Sequence, residues 1–227
     1  MQNENFIATF IALCLLTFYS INIYNLAKTK HERNRRKAQT KTQPSQETPS
    51  PKSLSFTLVI IGTSIFWLES ITYPIIVYAG FSSLLNVYPL QLSIPNATAI
   101  QSLGIILTSI GYFLFIWSIL ARGKYATSWE MPQNHKLVTW GPYRYVRHPS
   151  YLAYFLLFFG LFLMTINILT LPCLIAIPGY YKVAEKEEEM LLERFSEEYR
   201  EYQRKTGRFL PHILRKETAN FENASNY

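Results

Sequence analysis

Three long apolar runs constrain this chain more than any other feature of its sequence. They cover residues 6–26, 54–79 and 99–120, and the shortest of them has 21 residues. A helix needs about 20 predominantly apolar residues to cross the hydrocarbon core of a bilayer. The runs therefore predict three transmembrane helices, and with them an integral, multi-pass membrane protein.

The balance of charge fits the same class of protein. Charged residues make up 16% of the chain, against about 25% in soluble domains. The net charge of +7 could serve a nucleic acid, but the basic residues cluster beside apolar runs rather than along one helix face. The positive-inside rule explains this distribution, and we expect no nucleic-acid partner.

The loops between the runs predict the topology. Residues 28–52 contain eight Lys or Arg against two Glu, whereas residues 80–96 contain no charged residue. The first loop is therefore expected in the cytoplasm as a disordered basic linker, and the second loop and the N-terminus on the other side. The predicted organisation is a first span with its linker (1–53), a second span with its outer loop (54–98), a core (99–213) and a disordered tail (214–227).

Three residues within apolar runs need an explanation. Glu69 lies near the middle of the second run, where a carboxylate either bonds to a neighbouring Tyr or Lys or lines a substrate cavity. Cys14 and Cys173 also lie in apolar runs and lack the spacing of a disulfide framework or a metal site. We expect no metal.

The last third of the chain predicts a hairpin and an amphipathic helix. Residues 151–183 are mostly apolar but are interrupted at 165–167, and two full spans with a turn need more than about 40 residues. A short or tilted helical hairpin follows, which brings the prediction to about five transmembrane helices in an all-α fold. From Glu185 onwards, apolar residues recur every three or four positions, which is typical of an amphipathic helix lying on the cytoplasmic face and ending before Gly207.

A polar loop lies between the third run and this hairpin. Residues 135–151 read HKLVTWGPYRYVRHPSY, with two histidines, two arginines and two X-Pro breaks that no regular helix crosses intact. So many potential ligand groups in one loop indicate a candidate site.

Two motifs at this spacing resemble the isoprenylcysteine carboxyl methyltransferase family of integral-membrane enzymes. HKLV, GPY and RHPSY are followed, after the hairpin, by EE-x-x-LL-x-x-F-x-x-EY-x-x-Y and a late proline. The resemblance covers roughly residues 99–213. It implies S-adenosylmethionine as cofactor, a lipophilic or lipidated substrate entering from the bilayer, and an active site facing the cytoplasm.

The resemblance also implies roles for individual residues. Those expected to bind the cofactor are His135, Lys136, Leu137, Val138, Tyr143, His148, Pro149, Ser150, Tyr151 and Glu187. Those expected to be catalytic are Arg144 and Arg147. Other interpretations stay open: the arginines can anchor to lipid phosphate, His148 can cap the next helix, and Glu187 can belong to a solvated acidic run.

The chemistry of this cofactor suits the residue types. Its sulfonium and ammonium call for a carboxylate and aromatic faces, and its carboxylate for backbone donors. Methyl transfer is an in-line displacement that depends mainly on orientation and on the exclusion of water. A carboxylate acceptor would need no general base.

One position departs from the family pattern, which places an arginine four residues before the cofactor glutamate to meet the substrate's carboxylate. That position is Val183 here. Lys182 and Lys186 are displaced from its direction by about 100° on a helix, so neither replaces a bidentate guanidinium. We therefore expect simple prenylcysteines to be poor substrates.

Three other functions compete with this one. A sterol-type membrane reductase using NADPH has a similar C-terminal region rich in tyrosine, arginine and histidine. A phospholipid N-methyltransferase would share the cofactor but not the acceptor. A non-enzymatic membrane scaffold would leave the density of functional groups in residues 135–151 unexplained.

Overall fold

The computed structural model describes residues 3–37, 54–85, 90–123 and 136–212, and five α-helices account for most of them. In chain order they are α1 (Glu4–Lys37), α2 (Leu54–Tyr78), α3 (Ala97–Arg122), α4 (Pro149–Thr165) and α5 (Ala176–Lys205). The part of the chain that the structure describes contains no β-strand, only isolated bridges. The predicted all-α class is confirmed.

Among the described residues, three helices are long and apolar enough to cross a membrane. These segments are Glu4–Ala27, Leu54–Tyr78 and Ala97–Arg122, and they match the three apolar runs. The first helix continues from residue 28 to Lys37, so it extends into the segment expected to be an unstructured linker. Residues 38–53 and 214–227 lie outside the described residues, and the disorder expected there stays a prediction.

The predicted hairpin is present, but its two arms differ. α4 has 17 residues, or about 26 Å of helix, slightly less than the thickness of the hydrocarbon core. It ends at Thr165, and the next residue, Ile166, has a φ of 50° in the left-handed region. The chain returns as a 3-10 helix, Ile168–Ile175, that contains Pro172 and leads into α5. The hairpin is thus as short as the sequence predicts, and the total of five transmembrane helices stays a prediction.

Glycines allow α3 and α4 to pack closely. A Cβ atom on Gly104 would lie 2.5 Å from the backbone nitrogen of Met164, and one on Gly160 would overlap Oγ1 of Thr108. Small residues at such contacts are common where helices pack in membranes. Gly111 lies against Ala153, so the two helices run antiparallel. As a result, α4 begins, at Pro149, beside the end of α3.

α5 packs on α2 in the same manner. Gly62 lies against Ala176, and Gly179 lies against Ser55. These pairs make α5 antiparallel to α2 and direct its charged half beyond the start of α2. The end of α3, the start of α4 and the charged half of α5 consequently meet at one end of the helix bundle.

Candidate functional site

The polar loop, residues 135–151, forms backbone hydrogen bonds with the segment that follows α5. The backbone nitrogen of Arg147 donates to the carbonyl of Gly207 (2.8 Å), and that of His148 donates to the carbonyl of Arg208 (3.0 Å). The Tyr202 hydroxyl donates to the carbonyl of Tyr143 at 2.7 Å. The two motifs separated by the hairpin therefore form one unit.

The loop also contacts the end of α3. Gly141 has a φ of 62°, and a Cβ atom there would lie 2.8 Å from the Cβ of Ala121. The Trp140 indole donates to the carbonyl of Ala121 at 2.8 Å. Only glycine accepts both this backbone conformation and the close approach. The 3-10 helix Gly141–Arg144 is fixed beside α3 as a result.

A buried carboxylate, Glu188, holds the loop to α5. Its Oε1 accepts from Nε of Arg147 at 2.9 Å and lies 3.1 Å from Nε2 of His148. Its Oε2 accepts from Nη2 of Arg208 at 3.0 Å. Burial opposes its ionisation, but the hydrogen bonds from His148, Arg147 and Arg208 outweigh this effect and hold the pKa of Glu188 well below its usual range.

These contacts indicate a structural role for Arg147, one of the two residues predicted to be catalytic. Its guanidinium also donates to the carbonyls of Gln203 and Thr206, and only 10% of its side chain is exposed. The N–H donors of its guanidinium therefore stabilise the fold. Arg144 lies on the 3-10 helix and is exposed, and a catalytic role for it stays a prediction.

The neighbouring Glu187 faces different partners. The Tyr151 hydroxyl donates to its Oε1 at 2.6 Å, and Nδ1 of His148 lies 3.5 Å from its Oε2. Burial raises the pKa of Glu187, although the nearby His148, the Tyr151 hydroxyl and Arg122 each act to lower it. Glu189, one position further, is exposed. Glu187 is therefore not part of a solvated run.

His148 connects the two glutamates through its two ring nitrogens. It occupies the N-cap position of α4, but its side chain makes no capping hydrogen bond. Its ring instead stacks on Tyr151, with centroids 5.3 Å apart and an interplanar angle of 12°. The structure thus brings His148, Tyr151 and Glu187 together, as predicted from the sequence.

The other predicted residues lie around this cluster. Tyr143 is buried and its hydroxyl bonds with Ser150, while burial raises the pKa of Tyr143. Pro149 is the buried first residue of α4. Lys136 is exposed, and the next two residues in the irregular segment before Trp140, Leu137 and Val138, are half-buried. His135 lies outside the described residues.

Sequence reasoning missed three charged residues of the site. The sequence shows Glu188 only as a member of an acidic run beside Glu187, and nothing in the sequence marks Arg208 as its partner. The third of these residues is Arg122, at the end of α3. Its charge lowers the pKa of Glu187 and of Tyr143, and its Nε is buried with no hydrogen-bond partner among the described residues. A basic residue in the last turn of a span is the only sequence signal for it.

Comparisons with known proteins find similarity to membrane methyltransferases. The sequence profile of the Phospholipid methyltransferase family matches residues 100–198. A protein-S-isoprenylcysteine O-methyltransferase from Tribolium castaneum is 31% identical over 120 residues, which cover 50% of this chain and 42% of that protein. One from Xenopus laevis is 28% identical over 169 residues, covering 72% and 57% respectively. The chain is related to the isoprenylcysteine carboxyl methyltransferases. It spans about half the length of the relatives that it matches.

The solved structure of the eukaryotic intramembrane Ras methyltransferase, an isoprenylcysteine carboxyl methyltransferase, is also similar. It shares 25% sequence identity with a TM-score of 0.45, over 73% of this chain and 55% of that one. Together with the three apolar helices, the kinship to isoprenylcysteine carboxyl methyltransferases identifies an integral membrane protein. Within the described residues, no group of three or more His, Cys, Asp or Glu is arranged to hold a metal ion.

Proposed function

We propose that this chain is an S-adenosylmethionine-dependent methyltransferase that acts on a lipophilic or lipidated substrate at the membrane. The observation that carries the proposal is the cluster of Glu187, His148 and Tyr151, in which a carboxylate with a raised pKa lies beside two stacked rings. The kinship to isoprenylcysteine carboxyl methyltransferases supports the reaction class.

The residues of the cluster fit this cofactor. Glu187 would hold the ammonium of its amino-acid end through a charge-assisted hydrogen bond. The rings of Tyr143 and Tyr151 would offer faces to the sulfonium. When bound, the cofactor supplies an electrophilic methyl group. The segment 135–138 would provide backbone donors, and Pro149 and Ser150 would complete the wall beside Tyr143.

Two arginines take different parts in this proposal. Arg147, whose donors are engaged by Glu188 and by carbonyl groups, is a positioning residue that keeps His148 and Glu187 in place. Arg122, with its unpartnered buried Nε on the side of Glu187, would meet a negative charge of the bound acceptor or cofactor. Arg144 is exposed and would contact either the acceptor or lipid phosphate.

An aromatic path supports a lipophilic acceptor. From Tyr151 the rings continue to Tyr180 at 4.7 Å, then to Tyr154 at 5.4 Å and to Phe158 at 5.7 Å, all centroid distances. These rings line the interior between α4 and α5 with apolar surface. A prenyl or acyl chain would lie along them and exclude water from the reacting centre.

The proposed site faces the cytoplasm. Its support is the distribution of basic residues, eight in residues 28–52 against none in residues 80–96. The end of α1 leads into the basic segment, and α2 begins after it, at the end of the bundle where the charged half of α5 projects.

Transfer of a labelled methyl group tests the proposal. Membranes carrying the protein are incubated with methyl-labelled S-adenosylmethionine, and labelled lipids and peptides are identified by mass spectrometry. We expect a labelled product with the wild type and with Glu189→Gln, and a strong loss with Glu187→Gln. If the protein instead reduces a sterol with NADPH and transfers no methyl group, the proposal is wrong and the protein is a reductase.

The same experiment identifies the acceptor. A phospholipid amine is the second candidate, favoured by the match to the Phospholipid methyltransferase profile and by Val183 at the position of the family's arginine. Label in a phospholipid headgroup would support it, whereas label as a methyl ester of a prenylated cysteine would support the reaction after which the relatives are named.

A further inference from the structure

A cavity lies far from the candidate site, at the opposite end of the bundle. It has a volume of about 110 Å³ and is lined by residues of α1, α2, α3 and α4 and of the turn after α4. Gln101 of α3 lines it, whereas Arg122 of the same helix belongs to the candidate site. These residues are 21 positions apart, which corresponds to about 30 Å of helix. The two sites are therefore separate.

Two carboxyl groups lie among the neutral polar side chains of this cavity. Glu4, in the first turn of α1, and Glu69 of α2 both line it, and no Lys, Arg or His occurs among the described lining residues. The Oε2 atom of Glu69 is buried and has no hydrogen-bond partner in the described part of the chain. Burial of such an oxygen is costly unless a donor meets it. A cationic donor within the cavity would remove that cost.

The remaining lining determines which cation fits. Apolar groups of Ile7, Ile76 and Leu161 and the ring of Tyr73 form much of the wall. A metal ion such as Ca²⁺ requires six to eight oxygen ligands around it. An ammonium with carbon substituents instead combines a carboxylate with aromatic and apolar surface. The volume is several times the roughly 10–15 Å³ that a cavity needs to hold one water, so it admits such a headgroup.

We propose that this cavity binds an organic ammonium group, carried either by a phospholipid headgroup of the leaflet opposite the candidate site or by a free amine. Glu69 is the principal ligand and Tyr73 lies against the cation. This site does not depend on the proposed methyl transfer, because no residue that lines it belongs to the candidate site.

Ligand-dependent thermal stability tests the site. The purified protein in nanodiscs of phosphatidylglycerol, which carries no ammonium, is titrated with tetramethylammonium chloride, with sodium chloride and calcium chloride at equal ionic strength as controls. We expect tetramethylammonium alone to raise the melting temperature in a saturable way. Glu69→Gln should require at least tenfold more of it, whereas Glu189→Gln, at the other end of the molecule, should respond as the wild type does.

A second glutamate variant and a second lipid distinguish the possible outcomes. If Glu69→Gln does not fold, Glu4→Gln should show the same weakened response. Phosphatidylcholine nanodiscs distinguish the sources: loss of the response to the soluble cation indicates a lipid headgroup, and its persistence indicates a free amine. An undiminished response in both glutamate variants, or stabilisation by calcium that tetramethylammonium reverses, would overturn the proposal.

Discussion

Glu187 and Glu188 are adjacent in the candidate site but have different surroundings and different roles. Glu188 is 5% exposed and meets the side chains of Arg147, Arg208 and His148, so its charge is satisfied within the protein. Glu187 retains 23% exposure, and its partners are a tyrosine hydroxyl and the second nitrogen of the same His148. The first carboxylate therefore stabilises the fold, and the second is available to a ligand.

Removal of the Glu188 charge should destabilise the protein. Glu188→Gln leaves Arg147 buried without its counterion, and the loss of one partner from a buried pair costs about 3–5 kcal/mol. Glu189→Gln, next to it but exposed, should cost less than about 0.5 kcal/mol. Urea-induced unfolding in detergent measures both values. Equal stability of the two variants would show that Glu188 is not the central contact.

The pH dependence of the same measurement provides a control. A carboxylate whose folded pKa is depressed contributes stability above its unfolded pKa, about 4.3, and the contribution is lost as the pH falls towards the folded pKa. Wild-type stability should therefore decline below about pH 4. Glu188→Gln should show a shallower decline, since the group held well below its usual pKa is absent.

The presence of valine at position 183 leads to a prediction about the methyl acceptor. It is 5% exposed and occupies the position of the family's arginine. We expect wild-type turnover of a farnesylated cysteine analogue to be poor and Val183→Arg to increase kcat/KM by about tenfold or more, as a charge-assisted contact is gained. Val183→Met, similar in length but uncharged, is the control. Efficient wild-type turnover that Val183→Arg does not improve would contradict this expectation, and Arg122 would then be the carboxylate's partner.

At the scale of helices, the contact between α3 and α4 sets the position of the loop. Gly104→Ala would place a methyl group 2.5 Å from a backbone nitrogen of α4, which cannot move independently of its helix. Overpacking of this kind costs about 1–3 kcal/mol. We expect a lower melting temperature for this variant than for Ser109→Ala, a change on the exposed face of α3. A Gly104→Ala protein as stable as the wild type would indicate that the helices are further apart.

The sequence predicts these elements well where length and hydrophobicity decide the outcome. The three spans, the break after Thr165 and the continuation of the hairpin into α5 follow from apolar length and periodicity. The 3-10 helix Ile168–Ile175 does not, since its apolar composition is also typical of an α-helix. The clustering of His148 with Glu187 followed from the family pattern, whereas the pairing of Arg147 with Glu188 depends on tertiary contacts.

The whole molecule has a topology that labelling can test. Thr40→Cys, in the basic segment, should react with a membrane-impermeant maleimide only from the cytoplasmic side, and Ser83→Cys, after α2, only from the opposite side. Both follow from the positive-inside rule. Cys14 and Cys173, the native cysteines, are replaced by serine and alanine in the background. Labelling of position 40 from the non-cytoplasmic side would invert the proposed orientation.

Equilibrium binding of S-adenosylhomocysteine to the purified protein tests the central claim most directly. In the proposed site the ammonium of the ligand is bound by Glu187, which lies beside His148 and two positions from the exposed control residue Glu189. We predict saturable binding by the wild type, unchanged binding by Glu189→Gln, and losses of about 1.5–3 kcal/mol for Glu187→Gln and His148→Ala. Equal affinities for all four proteins, or no binding by the wild type, would contradict the assignment of this site.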